Sequence, residues 1–91
     1  MSGPGAAGLH EPLTFATVPA LLRRAGEWVS AGRLDLSGVP RIDSAGLAFL
    51  LELAGRAKQQ GHSLQLDAAT PQIKELARFF GVDRLLQLDG Q

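Results

Sequence analysis

The sequence predicts an α/β domain in which a small sheet carries helices on one face. Three observations lead there. Arg33-Leu34-Asp35-Leu36-Ser37 and Ser63-Leu64-Gln65-Leu66-Asp67 both alternate polar and apolar residues, the period of a strand buried on one side. Segments with apolar residues at helical spacing separate them, so strands and helices alternate and the pairings should be parallel through crossover helices. Strands of a sheet covered on both faces are apolar throughout, and these are not, which leaves one face wet.

Each element has its own signal. Residues 1 to 8, rich in glycine and alanine, are expected to be a flexible segment ahead of a domain spanning 9–91. Leu9, Leu13 and Phe15 are candidates for a short first strand, with Pro12 suiting an edge or a strand start. Val18, Leu21, Leu22, Ala25, Trp28 and Val29 share one stripe of a first helix, with Thr17 as N-cap, Pro19 in the first turn and Gly32 at its end. A second helix follows Arg41-Ile42-Asp43-Ser44-Ala45-Gly46, with Leu47, Leu50, Leu51 and Ala54 facing the sheet and Gly61 closing it. Thr70 and Pro71 begin a third helix with Ile73, Leu76, Ala77 and Phe80 as its core stripe and Gly81 as left-handed C-cap. Leu85, Leu86 and Leu88 make a last short strand.

Bulk composition narrows the function. The chain of 91 residues accommodates one domain, and folding at this size buries roughly 60–65% of the chain's surface. Nine basic and nine acidic residues cancel, with no basic stripe, which argues against nucleic acid and electrostatic membrane attachment. There is no cysteine, which removes disulfides and thiolate metal sites and makes an intracellular location the expectation. The longest apolar run, Leu47 to Leu51, is far short of the roughly 20 residues of a membrane span, so no direct membrane insertion is expected.

Catalytic chemistry is sparse. No GxxxxGK[ST] phosphate loop and no GxSxG elbow occur. His10 and His62 stand apart from any carboxylate cluster, and Asp35, Asp43 and Asp67 read best as solvated loop acids near strand ends. No catalytic residue, cofactor or metal is therefore assigned, and the expectation is a non-enzyme.

The opening of the second helix is the informative stretch. Ser44 or Asp43 can cap the helix, and the charge of Asp43 suits its positive end. Gly46 fits a cap poorly, because glycine inside a helix costs roughly 0.5–1 kcal/mol against alanine. It implies close approach by another backbone element or by a partner. Phe49 points roughly 140° from the centre of the sheet-facing stripe at 100° per residue. It is expected on an exposed outer face with Leu53 and Arg56, forming a docking surface beside the helix end. Phosphate on Ser44 would gain from the helix N-terminus, or repel a partner docked there.

Residues 33–47, Arg-Leu-Asp-Leu-Ser-Gly-Val-Pro-Arg-Ile-Asp-Ser-Ala-Gly-Leu, resemble the signature of STAS domains, named for sulfate transporters and anti-sigma factor antagonists. In that family a strand ending in Asp-Ser/Thr-x-Gly-Leu opens the second helix. The resemblance covers roughly residues 12 to 88 and implies a small mixed β-sheet with helices packed on one face. Leu13-Thr14-Phe15-Ala16-Thr17-Val18 and Ala45 to Leu51 are most similar to the B subunit of the Mla phospholipid transport system. That implies a cytoplasmic, non-catalytic subunit bound to the ATPase of an ABC-type transporter, peripheral to the inner membrane through that partner. Its partner-binding residues would be Asp43, Ser44, Gly46, Phe49, Leu53 and Arg56, joined by Arg78 and Phe79 of the third helix. The alternative is an anti-sigma factor antagonist, in which Ser44 occupies the phosphorylated position; a small-ligand or nucleotide sensor is a third reading. The family's first strand is hard to find in residues 1 to 11. An edge left open there invites self-association with another chain.

Overall fold

A computed structural model describes residues 7–88. The elements run β1 (Ala7–Gly8), α1 (Val18–Leu22), α2 (Ala25–Ala31), β2 (Arg33–Asp35), α3 (Ser44–Gln59), β3 (Gln65–Asp67), α4 (Pro71–Phe79) and β4 (Gln87–Leu88). The four strands form one sheet in the order β1-β2-β3-β4, and every pairing is parallel, as the alternation of elements predicted. Right-handed crossovers between strands laid down in sequential order put all the helices on the same face.

The strand residues divide accordingly. Leu34, Leu66 and Leu88 point into the core, while Arg33, Asp35, Gln65, Asp67 and Gln87 occupy the other face. On that wet face Arg33 pairs with Asp67 at 2.8 and 3.1 Å, and the Gln65 side chain donates to the Gln87 carbonyl at 3.2 Å.

Four expectations are corrected. The first helix is two, broken at Arg23–Arg24, yet the stripe persists: Leu21, Ala25, Trp28 and Val29 are buried, and Val18 and Leu22 pack against them. Gly32 ends α2, as expected, and does so in the left-handed conformation at φ 77°. Ala7 and Gly8, read as part of the flexible segment, form β1, since ladder hydrogen bonds need only backbone; the rest of that segment lies outside the described residues. Leu13 is buried but makes an isolated parallel bridge to Ile42, and Phe15 is 77% exposed rather than in a strand. Phe80, assigned to the core stripe of α4, is half exposed because that helix ends at Phe79 and the chain turns away through Gly81 at φ 72°.

Candidate functional site

The site is built at the N-terminus of α3, and Asp43 organises it. Asp43 has extended backbone and is the N-cap: its Oδ1 accepts from the N–H of Ala45 at 2.9 Å and of Gly46 at 3.1 Å. Its Oδ2 accepts from the N–H of Phe15 at 3.1 Å. Desolvation alone would raise its pKa, but the N–H donors of Phe15, Gly46 and Ala45 outweigh it and hold the carboxyl below its ordinary range. Asp35 is similarly lowered, chiefly by the backbone N–H of Ser37, and serves its own turn rather than the site.

Ser44 is therefore not the cap. It is the first residue of α3, exposed, and its hydroxyl is free of the helix's own capping bonds. The glycine two residues on answers to a backbone neighbour. A Cβ on Gly46 would collide with the carbonyl oxygen of Leu13 and lie 2.6 Å from Leu13 Cβ. Leu13 is fixed there by two bonds, its N–H to the Arg41 carbonyl at 2.9 Å and its own carbonyl to the Asp43 N–H at 3.0 Å. Thr17 tightens the same loop, accepting from the Thr14 N–H at 3.0 Å and donating to the Pro12 carbonyl at 2.6 Å, and makes no side-chain cap to α1.

The expected outer face of α3 needs correction. Phe49 is 2% exposed and Leu53 is fully buried, so neither stands on an exposed outer face, although Phe49 lines the floor of a groove between α1 and α3. The single-stripe reading gave α3 one neighbour, the sheet. It packs against α1, α2 and α4 as well, and Phe49 meets Trp28 of α2 edge-on with ring centroids 5.9 Å apart. The buried residues Gly46, Leu50, Leu53 and Ala57 mark the true inner side, rotated by roughly 90° from the expected one at 100° per residue. Ser44, Ala48 and Glu52 face outward, with Arg56 half-buried and tied to Glu52 at 2.7 Å.

Arg78 and Phe79 are exposed, Phe79 at 81%. They are not gathered with Ser44. The Gln72 side chain accepts from the Ile42 N–H at 3.2 Å, which places the first turn of α4 beside the entry to α3. Arg78 lies about 9 Å further along the axis at 1.5 Å per residue, toward the other end of the helical layer.

Sequence reasoning missed Phe15. Its N–H is held by Asp43 while its ring is uncovered, next to Ser44. A shallow groove of about 360 Å³ between α1 and α3 is lined by Val18, Leu22, Ala45, Ala48 and Phe49, with the Glu52–Arg56 pair at its rim. An aromatic residue two positions beyond Leu13 reads as strand alternation; the Thr14–Thr17 turn that lifts it out has only the two threonines as a signal.

Among the described residues no group of His, Asp or Glu side chains could hold a metal ion, and no helix is long and apolar enough to cross a membrane. Gly3 to Gly8 spell the letters GxGxxG, but Ala7–Gly8 lie in β1 and the first helix among the described residues begins at Val18, so no helix opens at this motif's last glycine as a dinucleotide site needs.

A one-faced parallel sheet with an aspartate-capped helix and an exposed serine behind the cap defines a small domain of the α/β class. Residues 8–87 match the family model described as "Mlab, STAS domain", and the chain belongs to that family. It is 39% identical over 49 residues to the intermembrane phospholipid transport system binding protein MlaB of Escherichia coli (strain K12), an alignment covering 54% of this chain and 50% of that protein. The MlaB of Shigella flexneri matches to the same extent. The match thus spans about half the length of these curated relatives. Among solved structures, a putative anti-sigma factor antagonist from Thermotoga maritima superposes with a TM-score of 0.76 at 15% identity, over 97% of this chain and 81% of that one. That likeness shows the shared fold.

Proposed function

We propose that this domain is a non-catalytic subunit that binds and supports the ATPase of an ABC-type phospholipid transporter, and that it does so through the face at the N-terminus of α3. The observation that carries the reading is the exposed Phe15 ring on a loop that Asp43 holds at the N-terminus of α3, where Ser44 is also exposed, together with an apolar groove between α1 and α3. Aromatic anchors beside adaptable polar groups are what protein interfaces use most. The similarity to proteins named as phospholipid-transport binding proteins supports the class of partner. The ATPase would hold the domain at the cytoplasmic side of the inner membrane. Asp43 and Gly46 act from beneath as positioning residues, Arg56 sits at the rim, and Arg78 and Phe79 belong to a separate surface.

Co-purification of the tagged chain with the transporter ATPase tests this. Phe15→Asp and Ser44→Asp are expected to lose the ATPase while circular dichroism and the unfolding midpoint stay as in the wild type. Retention of the ATPase by both variants would sink the assignment of this face.

One observation favours a second reading, the phospho-switched anti-sigma factor antagonist: the Ser44 side chain is exposed at the N-terminus of a 16-residue helix, where a phosphate would be well placed. In that case a serine kinase and its sigma factor are recovered instead, and Ser44→Ala stays bound under all conditions. Self-association through β1, an edge of the sheet among the described residues, predicts a dimer in light scattering that dissociates when Ala7 is replaced by proline.

A further inference from the structure

A second groove lies away from Ser44, between the C-terminal half of α3 and the segment joining α4 to β4. It measures about 450 Å³, within the roughly 300–1,000 Å³ of small-ligand sites. Leu51, Leu64 and Leu85 give it an apolar lining, and Leu85 is 66% exposed despite its size. Lys58, His62 and Arg84 line it too, and no carboxylate does. Arg24, Arg33 and Arg56 elsewhere are all engaged by acids, whereas Lys58 and Arg84 make no ion pair among the described residues.

Gly55 also lines this groove, in mid-helix, where glycine is about 1 kcal/mol worse than alanine. A Cβ there would meet nothing within 4 Å. Gly46 is demanded by Leu13; nothing in the chain demands Gly55, and its effect is to keep the groove deep.

We propose that this groove binds a single-chain amphiphile with a phosphate headgroup. The alkyl chain lies along the leucines, excluding water from them. The headgroup meets Lys58 and Arg84, with the His62 ring and the Ser63 hydroxyl as further donors. Phosphate is favoured over carboxylate because it brings up to two negative charges and a third acceptor oxygen to a rim with donors from four side chains and no acid. The site is independent of the face proposed for the ATPase.

The test is a titration of the full chain with dodecyl phosphate below its micelle concentration, followed by amide NMR shifts, with laurate and dodecyl maltoside as parallel arms. Saturable shifts at Gly55, Leu64 and Leu85 are expected for dodecyl phosphate. Gly55→Leu, which fills the groove from an open helix position, and Arg84→Glu should each weaken binding about tenfold or more while the far-ultraviolet spectrum is unchanged. No saturable binding, shifts centred elsewhere, or unchanged affinity in Arg84→Glu would overturn the proposal. Equal binding of laurate overturns the phosphate assignment, and equal binding of dodecyl maltoside overturns the role of charge.

Discussion

Gly46 and Gly55 sit on one helix, and replacing each by alanine should move stability in opposite directions. At Gly46 the added methyl group meets the Leu13 backbone, with its Cβ and carbonyl carbon at 2.6 and 2.7 Å. Backbone cannot rotate aside as a side-chain tip can, and Leu13 is held by its bonds to Arg41 and Asp43. Overpacking costs about 1–3 kcal/mol, and against backbone that cannot give way the upper part of that range, about 2–3 kcal/mol, applies, of which the helix propensity gained on leaving glycine returns about 1 kcal/mol. The net for Gly46→Ala is a loss of about 1–2 kcal/mol, or roughly 4–16 °C in Tm for a domain of this size. At Gly55 the methyl group meets open space, so only the propensity term remains, and Gly55→Ala should gain about 0.5–1 kcal/mol, or roughly 2–8 °C. Thermal unfolding followed at 222 nm, with urea titration for the free energy, reads both. A Gly46→Ala protein as stable as the wild type would refute the close approach of Leu13 to α3.

Other perturbations follow from the same geometry. Phe49→Ala removes a fully packed ring from the Trp28 contact and should cost about 3–5 kcal/mol, whereas Phe15→Ala should leave urea unfolding within about 0.5 kcal/mol of the wild type. The folded-state pKa values of Asp43 and Asp35 are depressed, so the stability they contribute is fully present above their unfolded value near about 3.9 and is lost as pH falls through the folded values. Urea midpoints should therefore drop as pH is lowered below about 4, and Asp43→Asn should flatten that acid limb. In binding to the proposed ATPase, Asp43→Ala and Phe15→Ala should be non-additive in a double-mutant cycle, because the first variant releases the loop that presents the second residue. Strict additivity by calorimetry would contradict that coupling.

The parallel, one-faced sheet was legible because two strands alternate cleanly and glycines punctuate the helices; Gly81 has the left-handed φ its position implied. The faces of α3 were not. Periodicity finds the direction in which apolar residues concentrate, and on a helix buried on several sides that direction is an average over neighbours. Leu47 and Leu51 pulled the expected stripe one way, but Leu51 is only partly buried, while Phe49 and Leu53 are fully packed. The break at Arg23–Arg24 was hidden for a related reason: both short helices keep the same phase, so the stripe runs through it. Gly46 was read as a position of close approach, and the structure identifies the approaching element as the Leu13 backbone, one of the two alternatives the sequence left open.

Asp43 ties fold and candidate site together. One of its oxygens closes the first turn of α3, and the other holds the loop that carries Phe15. The Leu13 carbonyl in turn accepts the Asp43 N–H and rests where only glycine fits at position 46. These are reciprocal constraints: the loop fixes the cap, and the cap fixes the loop. An exposed ring on a free loop would lose rotational and backbone freedom on binding, at about 1–2 kcal/mol per backbone residue ordered. Here that ordering is already achieved in folding, before any partner arrives. The Asp-Ser-x-Gly pattern is thus best understood as scaffold residues, Asp43 and Gly46, bracketing a displayed one, Ser44. In the proposed function, substituting the first two is expected to perturb binding through geometry, and substituting Ser44 through contact.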